Sequence, residues 1–184
     1  MNVMRILADA MQARAITQTG WRRAQRGFTL VELMVTVAIA AILVMIGVPA
    51  FNDALLSSKL NSLSNNFVAS VHLARSEAIK RNDTVTLCAS ASGTTCGDDW
   101  SDGWKILADG AAIYTHAALP SGFQMLETDD VTSINFPPTG VGITAAALTL
   151  CKATPSIGTQ KRTLTVKTTG RPEVTKVPDA TTCP

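Results

Sequence analysis

The hydrophobic pattern of the chain begins with one long apolar block. Residues 28–51 contain a single charged side chain, Glu32. As an α-helix, these residues would extend about 36 Å at ~1.5 Å per residue, which is enough to cross the hydrocarbon core of a bilayer. Arginines precede the block, so the positive-inside rule predicts a single-pass protein with a cytoplasmic N-terminus and an exported C-terminal part.

The helical pattern continues beyond the apolar block. Apolar residues recur at steps of three and four and form one stripe, which is typical of an amphipathic helix that packs on a core. The stripe consists of Leu56, Leu60, Leu63, Phe67, Val71, Ala74 and Ala78. We therefore predict one helix over residues 28–81. Pro49 lacks an amide donor and stands near Gly47, so we expect a kink there.

A strand pattern replaces the helical one after Asp83. Short runs rich in β-branched and aromatic residues alternate with clusters of Gly, Pro, Asp and Ser. The predicted strands are 84–89, 104–108, 112–118, 123–127, 133–136, 147–152, 162–167 and, after a turn at 168–170, 172–177. One helix followed by a meander of strands predicts an α+β fold, with an antiparallel β-sheet packed on the helix.

The apolar block differs from an ordinary cleaved secretory signal. Such a signal has an apolar region of about 7–15 residues and then a cleavage site made of small residues. Here the run is longer, Val48-Pro49-Ala50 is a poor cleavage site, and a helical pattern follows at once. No cysteine stands at the end of the run to accept a lipid.

Glu32 is costly inside a bilayer, by about 2.5–3.5 kcal/mol at mid-depth, so it needs a partner. Cleavage before Phe28 would create an α-amino cation near the membrane face. In a bundle of parallel helices, Glu32 of one subunit could pair with that amine on its neighbour. The alternative is that the Glu32 carboxylate reaches water at the interface, but glutamate is short, and pairing is favoured.

Charge is distributed unevenly. The whole chain carries +2, of which residues 1–27 contribute +4 from five arginines and Asp9, so the remainder carries −2. A mildly acidic domain is not typical of a general nucleic-acid binder, which needs clustered cations.

The cysteines all follow the apolar block. Their even number indicates an oxidising compartment and two disulfides rather than free thiols. They are Cys88, Cys96, Cys151 and Cys183. Three connectivities are open, of which Cys88–Cys96 with Cys151–Cys183 is the simplest.

The start of the apolar block resembles the prepilin processing site of type IV pilins and type II secretion pseudopilins. Residues 26–33 read Arg-Gly-Phe-Thr-Leu-Val-Glu-Leu. The resemblance implies cleavage between Gly27 and Phe28 by a prepilin peptidase, N-methylation of Phe28, and a role for Glu32 in subunit docking. The leader is longer than is usual for the class, so both Met1 and Met11 are open as the start.

Further segments are similar to the GspH/FimT family of minor pilins and minor pseudopilins. They are Leu73-Ala74-Arg75-Ser76-Glu77-Ala78-Ile79-Lys80-Arg81, Val85-Thr86-Leu87-Cys88, Trp100-Ser101-Asp102-Gly103-Trp104, Phe136-Pro137-Pro138-Thr139-Gly140, Leu150-Cys151 and Thr169-Gly170-Arg171. The resemblance implies a type IV pilin-like fold with a cleaved leader at 1–27, a transmembrane and polymerisation helix at 28–51, an amphipathic continuation at 52–83 and a β-rich pilin domain at 84–184.

The same resemblance implies a place in the cell and a set of partners. The subunit would lie in a bacterial inner membrane with its C-terminal domain in the periplasm, and on assembly it would join a type IV pilus or a type II secretion pseudopilus. Its partners would be other pilins or pseudopilins, the prepilin peptidase and an inner-membrane assembly platform. Such subunits occur in small numbers at or near the filament tip and help to prime assembly. The choice between pilus and secretion system stays open.

Metal binding and catalysis have little support in the sequence. The acidic loop 98–103 could suggest calcium, but an EF-hand loop would need an oxygen ligand where Trp100 stands, so a turn with Trp100 and Trp104 packed on the domain is favoured. The only histidines are His72 and His116, and the sequence contains no nucleophile elbow or phosphate loop. We expect no enzyme, no metal and no cofactor.

The C-terminal stretch carries a net charge of +5 within 25 residues, from Lys152, Lys161, Arg162, Lys167, Arg171 and Lys176 against Glu173. This basic stretch raises a second hypothesis, a DNA receptor displayed on a pilus. Some FimT proteins bind DNA during natural transformation through a Gly-Arg-x-Arg motif. Here the motif reads Gly170-Arg171-Pro172-Glu173, and the acid in place of the second arginine would repel phosphate. The candidate contacts are Lys167, Arg171 and Lys176. Edge lysines that prevent aggregation are the alternative interpretation.

Overall fold

The computed structural model describes residues 27–90, 95–97, 99–154 and 157–183. The chain divides into two compact units, Met1–Val44 and Met45–Pro184. The predicted leader, apart from Gly27, lies outside the described residues. The finer boundaries predicted at residues 51 and 83 stay predictions.

One helix, α1, extends over Leu30–Arg81 and includes 52 residues. It begins where Thr29 caps it. The Thr29 hydroxyl oxygen accepts a hydrogen bond from the Glu32 amide at 3.2 Å, and its carbonyl accepts one from the Leu33 amide at 3.0 Å. These bonds satisfy amides that the first turn would otherwise leave unpaired.

The other end of α1 is closed by a left-handed residue. Asn82 has a φ of 54°, its amide donates to the Ile79 carbonyl at 3.4 Å, and the Asp83 amide donates to the Ala78 carbonyl at 3.3 Å. This is a Schellman arrangement with asparagine in the position that glycine usually occupies. Between the two caps, α1 is continuous through Pro49. The kink expected at Pro49 stays a prediction.

The amphipathic half of α1 buries the predicted stripe. Six of the seven predicted stripe residues are buried, and the seventh, Leu56, is partly buried and packs against the same core. The buried members are Leu60, Leu63, Phe67, Val71, Ala74 and Ala78. The prediction of a core-facing stripe is confirmed.

Eight strands follow the helix, each within a few residues of a predicted one. They are β1 (Val85–Ala89), β2 (Trp104–Ala108), β3 (Ala111–His116), β4 (Phe123–Glu127), β5 (Ser133–Phe136), β6 (Ala146–Lys152), β7 (Gln160–Val166) and β8 (Pro172–Pro178). A short 3₁₀ helix, Trp100–Asp102, precedes β2. The α+β fold class, with one long N-terminal helix and antiparallel β-structure, is confirmed.

The strands form two antiparallel sheets rather than one meander. The first sheet has the order β3-β2-β1-β5 and the second has the order β4-β6-β7-β8. The difference arises because β5 returns to pair with β1, which places Val85 opposite Phe136, while β4 pairs with β6. Both sheets and α1 contribute to one core, which includes Trp104, Ile106, Met125, Ile134, Phe136, Leu148, Leu150 and Leu164.

Two disulfides staple the domain with the simplest of the three connectivities. Cys88 in β1 is bonded to Cys96, and Cys151 in β6 is bonded to Cys183 near the C-terminus. The second bond attaches the chain end to the second sheet. Removing a disulfide from a small exported domain typically costs about 2–5 kcal/mol, so both are expected to matter for stability.

The acidic loop forms the predicted turn. The Asp99 carboxylate accepts a hydrogen bond from the Ser101 amide at 2.7 Å and so caps the 3₁₀ helix. Trp100 and Trp104 are buried, and each meets the Phe67 ring edge-on with ring centroids 5.6 Å apart. Asp98 lies outside the described residues. Within the described part of the chain, no three Asp, Glu, His or Cys residues are grouped to hold a metal ion.

Candidate assembly helix and processing site

The N-terminal part of α1 exposes its apolar side chains. The large apolar residues between Phe28 and Leu55 have exposed fractions between 51% and 79%. By length and composition α1 is the one helix among the described residues that could cross a membrane. A helix segment that is apolar on all sides needs a lipid environment or other helices around it. This segment therefore has the properties of an anchor and of an assembly surface.

The predicted cleavage point lies just outside the helix. Because α1 begins at Leu30, the peptide bond between Gly27 and Phe28 precedes the cap residue Thr29. A Cβ atom built on Gly27 would have no described atom within 4 Å. Packing within the described chain does not require this glycine.

Glu32 lies in the first turn of the helix and is exposed. A carboxylate at this end of a helix is favoured by the partial positive charge of the unpaired amides. Glu32 forms no ion pair with any described residue. Its carboxylate is therefore available to a group from outside the described chain.

Sequence reasoning missed the role of Thr29. The structure makes Thr29 the N-cap, and the series Thr29-Leu30-Val31-Glu32 has the Ser/Thr-x-x-Glu pattern of a capping box. That pattern was visible in the sequence. The same residues also form the predicted processing motif, so the two signals overlap.

A ladder of polar contacts joins the next part of α1 to β7. Asp53, Ser57 and Asn61 occur every fourth residue and so lie on one face. The Asp53 carboxylate accepts from the Thr159 hydroxyl at 2.8 Å, and the Asp53 carbonyl accepts from the Gln160 side chain at 3.0 Å. This end of the amphipathic half is thus attached by hydrogen bonds as well as by apolar packing.

Arg162 completes the ladder. The sequence groups it with the exposed cations of the basic C-terminal stretch, and the structure shows that this interpretation is wrong. Arg162 is only 2% exposed. Its guanidinium donates to Asn61 Oδ1 at 3.0 Å, Ser57 Oγ at 3.0 Å and Gln160 Oε1 at 3.2 Å. Burial lowers the pKa of Arg162 from its ordinary value. This cation is an internal tether between β7 and α1 and is not a surface charge.

The candidate DNA contacts lie on or beside the β7–β8 hairpin, but one of them is already paired. Lys167 Nζ is 2.6 Å from Glu173 Oε2. This hydrogen bond and the positive charge of Lys167, with a smaller effect of Arg171, lower the pKa of Glu173. Arg171 and Lys176 are exposed. The acid that replaces arginine in the motif therefore also engages a neighbouring cation, which weakens the basic surface further.

Three of the segments that resemble the GspH/FimT family, residues 73–81, 136–140 and 169–171, meet at Arg75. A Cβ atom built on Gly140 or on Gly170 would lie 3.1 Å from Arg75 Nε, and both glycines have positive φ angles, 67° and 77°. A Cβ on Gly170 would also lie 2.7 Å from the Gly140 carbonyl oxygen. Arg75 Nε is buried and has no hydrogen-bond partner among the described residues. The two glycines thus make room for the side chain that joins α1 to two loops.

Neither histidine is arranged for acid–base chemistry with a nucleophile. His116 stacks on Trp104 with ring centroids 3.8 Å apart, and its Nε2 is 3.4 Å from Asn66 Nδ2. His72 is exposed on α1. His116 thus belongs to the packing of the aromatic cluster.

Comparison with known families decides the classification. A family model described as type II transport protein GspH matches residues 63–170, which is more than half of the chain. The chain belongs to the GspH family. A model of the prokaryotic N-terminal methylation motif matches residues 22–48 of this GspH-family protein, a range that contains Gly27, Phe28 and Glu32. A pilin-type N-terminus and a GspH domain therefore occur in one chain, as the sequence resemblance implied.

One curated relative matches a short part of the chain. The prepilin peptidase-dependent protein D of Escherichia coli (strain K12) is 50% identical over 44 residues, which are 24% of this chain and 30% of that protein. This GspH-family chain thus spans less than a third of that relative's length.

The solved structures include the type IV minor pilin FimU of Pseudomonas aeruginosa (strain PAO1) in two crystal forms. One form is 23% identical, covers 63% of this chain and 92% of FimU, and has a TM-score of 0.50. The other is 22% identical, covers 65% and 90%, and has a TM-score of 0.51. The GspH-family protein and FimU share a fold.

Proposed function

We propose that this protein is a minor pilin or pseudopilin that primes or caps the assembly of a type IV pilus or a type II secretion pseudopilus. A prepilin peptidase cleaves it between Gly27 and Phe28, and Phe28 is then N-methylated. Residues 28–51 hold the subunit in a bacterial inner membrane, with the N-terminus in the cytoplasm and the stapled domain in the periplasm. An inner-membrane assembly platform then moves the subunit into the filament.

The observation that carries the proposal is the apolar exposure of Phe28 and, on all sides of the helix, of α1 from Leu30 to Phe51. Side chains that are exposed by half or more on every face of a helix are unstable in water. The membrane satisfies them before assembly, and a bundle of parallel helices satisfies them afterwards. A chain that used this segment only for export would not need a carboxylate in its first turn.

Glu32 supplies the specific contact within that bundle. Cleavage leaves a cationic amine on Phe28, one helical turn from Glu32. Glu32 has no intramolecular ion pair within the described chain, so it is available to the amine of a neighbouring subunit. An ion pair in an apolar bundle penalises any register that leaves either charge alone, because an uncompensated buried charge costs about 3–5 kcal/mol.

Substitution of Glu32 tests this function. Glu32→Gln keeps the shape of the side chain but removes its charge, and Glu32→Ala removes both. Because a lost ion pair of this kind costs several kcal/mol, we expect both variants to be cleaved and inserted in the membrane but to enter filaments at least about tenfold less than the wild type. The measurement compares the amount of subunit in purified filaments with the amount in membranes.

A control variant comes from the same apolar segment. The Thr36 hydroxyl donates to the carbonyl of Leu33 in its own helix at 2.9 Å, so it needs no neighbour. Thr36→Val should enter filaments normally. Normal incorporation of both Glu32 variants would count against the proposed docking contact. Loss of the protein from the membrane in every variant would point to a folding effect and would remove the support for this mechanism.

A further inference from the structure

A groove lies between α1 and the second sheet. Its volume is about 540 Å³. One wall is the part of α1 that contains Leu55 and Lys59, and the other is formed by Lys152 at the end of β6 and by Ile157 in the loop before β7. The polar ladder from Asp53 to β7 holds the two walls together.

The groove is amphipathic. Leu55 is 53% exposed and Ile157 is 51% exposed, which is high for large apolar side chains. Lys59 and Lys152 lie beside them, and neither takes part in an ion pair with another described residue. Asp53 lowers the positive charge of the groove, but its carboxylate already accepts a hydrogen bond from Thr159. The result is two available cations next to two exposed apolar side chains.

The groove follows the predicted membrane segment directly along the chain. Residues 28–51 are the predicted membrane segment, and Asn52, Leu55 and Lys59 are among the residues that line the groove. A groove whose lining begins one residue after a membrane segment is tethered within reach of the lipid headgroups.

We propose that this groove docks on anionic lipid headgroups before the subunit enters a filament. Lys59 and Lys152 contact lipid phosphate groups, while Leu55 and Ile157 insert between the headgroups. The inference depends on the proposed membrane anchoring. Charge complementarity favours a lipid surface over the groove of a second copy of the chain. That second groove would bring its own Lys59 and Lys152 toward Lys59 and Lys152 of the first copy, and the like charges would repel each other.

Docking would orient the domain for assembly. A domain attached through one helix can adopt many tilts, and basic side chains near an anionic surface restrict those tilts. Each lysine near such a surface strengthens the attraction, and together the two should favour the docked state about 30-fold. Entry into a filament would then require release of the groove from the lipid.

The test places a fluorescent reporter in the groove. The Ile157→Trp variant, the groove reporter, replaces one exposed apolar residue by another. The Val141→Trp variant, the distal reporter, is its match, because Val141 is 48% exposed. Val141 follows Gly140, which faces Arg75, about 24 Å further along α1 than Lys59. The native tryptophans are Trp21 in the leader and the buried Trp100 and Trp104. Their background is measured on the wild type in the same discs.

Each full-length reporter chain is reconstituted in nanodiscs that contain lipids brominated in the acyl chains. One set of discs holds phosphatidylcholine alone, and the other also holds phosphatidylglycerol. We expect bromine to quench the groove reporter in the anionic discs and to leave the distal reporter at the background level. Adding Lys59→Gln with Lys152→Gln to the groove reporter should lower the docked-to-undocked ratio about 30-fold and restore its fluorescence.

A second charge-matched pair controls for net charge. Lys80→Gln with Arg171→Gln removes the same charge far from the groove and should leave the quenching of the groove reporter unchanged. Equal quenching of the groove reporter in both sets of discs would overturn the role of the anionic headgroups. If chains that are bound to the discs show no more quenching of the groove reporter than of the distal reporter, the docking alone would be overturned. Failure of the chains to bind to the discs would instead overturn the membrane anchoring.

Discussion

The internal tether at Arg162 gives the sharpest test of how the domain is held to its helix. Arg162→Met keeps a long side chain of similar reach and removes every donor of the guanidinium. Ser57, Asn61 and Gln160 then lose the group to which each is hydrogen-bonded at 3.0–3.2 Å. The carbonyl of Lys161, which accepts from the same guanidinium at 3.2 Å, also loses this donor.

The expected cost follows from which of these acceptors can reach water. Hydrogen bonds from a charged donor contribute roughly 1.5–3 kcal/mol each. Asn61 is exposed and can turn to solvent, whereas Gln160 is only 7% exposed and stays buried with an unpaired oxygen. Removal of the buried cation offsets part of the loss. We therefore expect the free energy of unfolding to fall by about 3 kcal/mol, and the melting temperature by roughly 10 °C.

Thermal unfolding of the full chain in detergent, followed by circular dichroism, measures this change. Lys161→Met is the matched control, because Lys161 is next to Arg162 but only its main-chain carbonyl contacts the guanidinium. Its side chain points to the other face of β7, so the control should change stability by less than about 0.5 kcal/mol.

Hydrogen exchange locates the effect. In Arg162→Met, the amides of residues 53–61 should exchange faster, while those of residues 67–78 should keep more of their protection. Equal melting temperatures of Arg162→Met and Lys161→Met would refute the tether. Arg162→Lys should lie between the two, since an ammonium keeps the charge but cannot reach all of the acceptors.

Three further outcomes follow from the geometry. Gly170→Ala should lower the free energy of unfolding in urea by at least about 1 kcal/mol more than Gly142→Ala. Both glycines have φ near 78°, but only a Cβ at position 170 would meet the Gly140 carbonyl oxygen and Arg75. Equal losses in the two variants would contradict the packing role of Gly170. Lys167 lowers the pKa of Glu173 in the folded protein. The stability from this pair is therefore present above the pKa that Glu173 has in the unfolded chain, and it is lost as the pH falls through the lower pKa of the folded protein. Wild type and Glu173→Gln should differ in melting temperature at neutral pH and converge in acid. Because Glu173 pairs with Lys167, we expect no retardation of DNA by the wild-type chain at low salt, and a retardation that is lost in Arg171→Ala would support the DNA-receptor hypothesis instead.

Much of the fold was predictable because its signals are local. The apolar stripe of α1 repeats at helical spacing, and the eight strands alternate with Gly, Pro and Asp, so both kinds of element stand out in the sequence. The pairing of β5 with β1 was not predictable in this way. It depends on which strands meet after a long connection, and strand patterns do not contain that information.

The burial of Arg162 was missed for a different reason. A charged residue is usually exposed, so the sequence groups Arg162 with the basic surface. The alternation along β7 offered a signal, because Gln160, Arg162, Leu164 and Val166 occupy every second position and all are buried. The meeting of Arg75 with Gly140 and Gly170 had no comparable local signal, since it joins residues far apart in the chain.

The mature N-terminus is the most direct test of the account, because the anchor, the docking contact and the orientation on the membrane all depend on it. Mass spectrometry of the protein purified from membranes of its native cells should find a chain that begins at N-methylated Phe28 and retains residues 28–51. A mature chain that still carries residues 1–27, or one that has lost the apolar helix, would contradict the account.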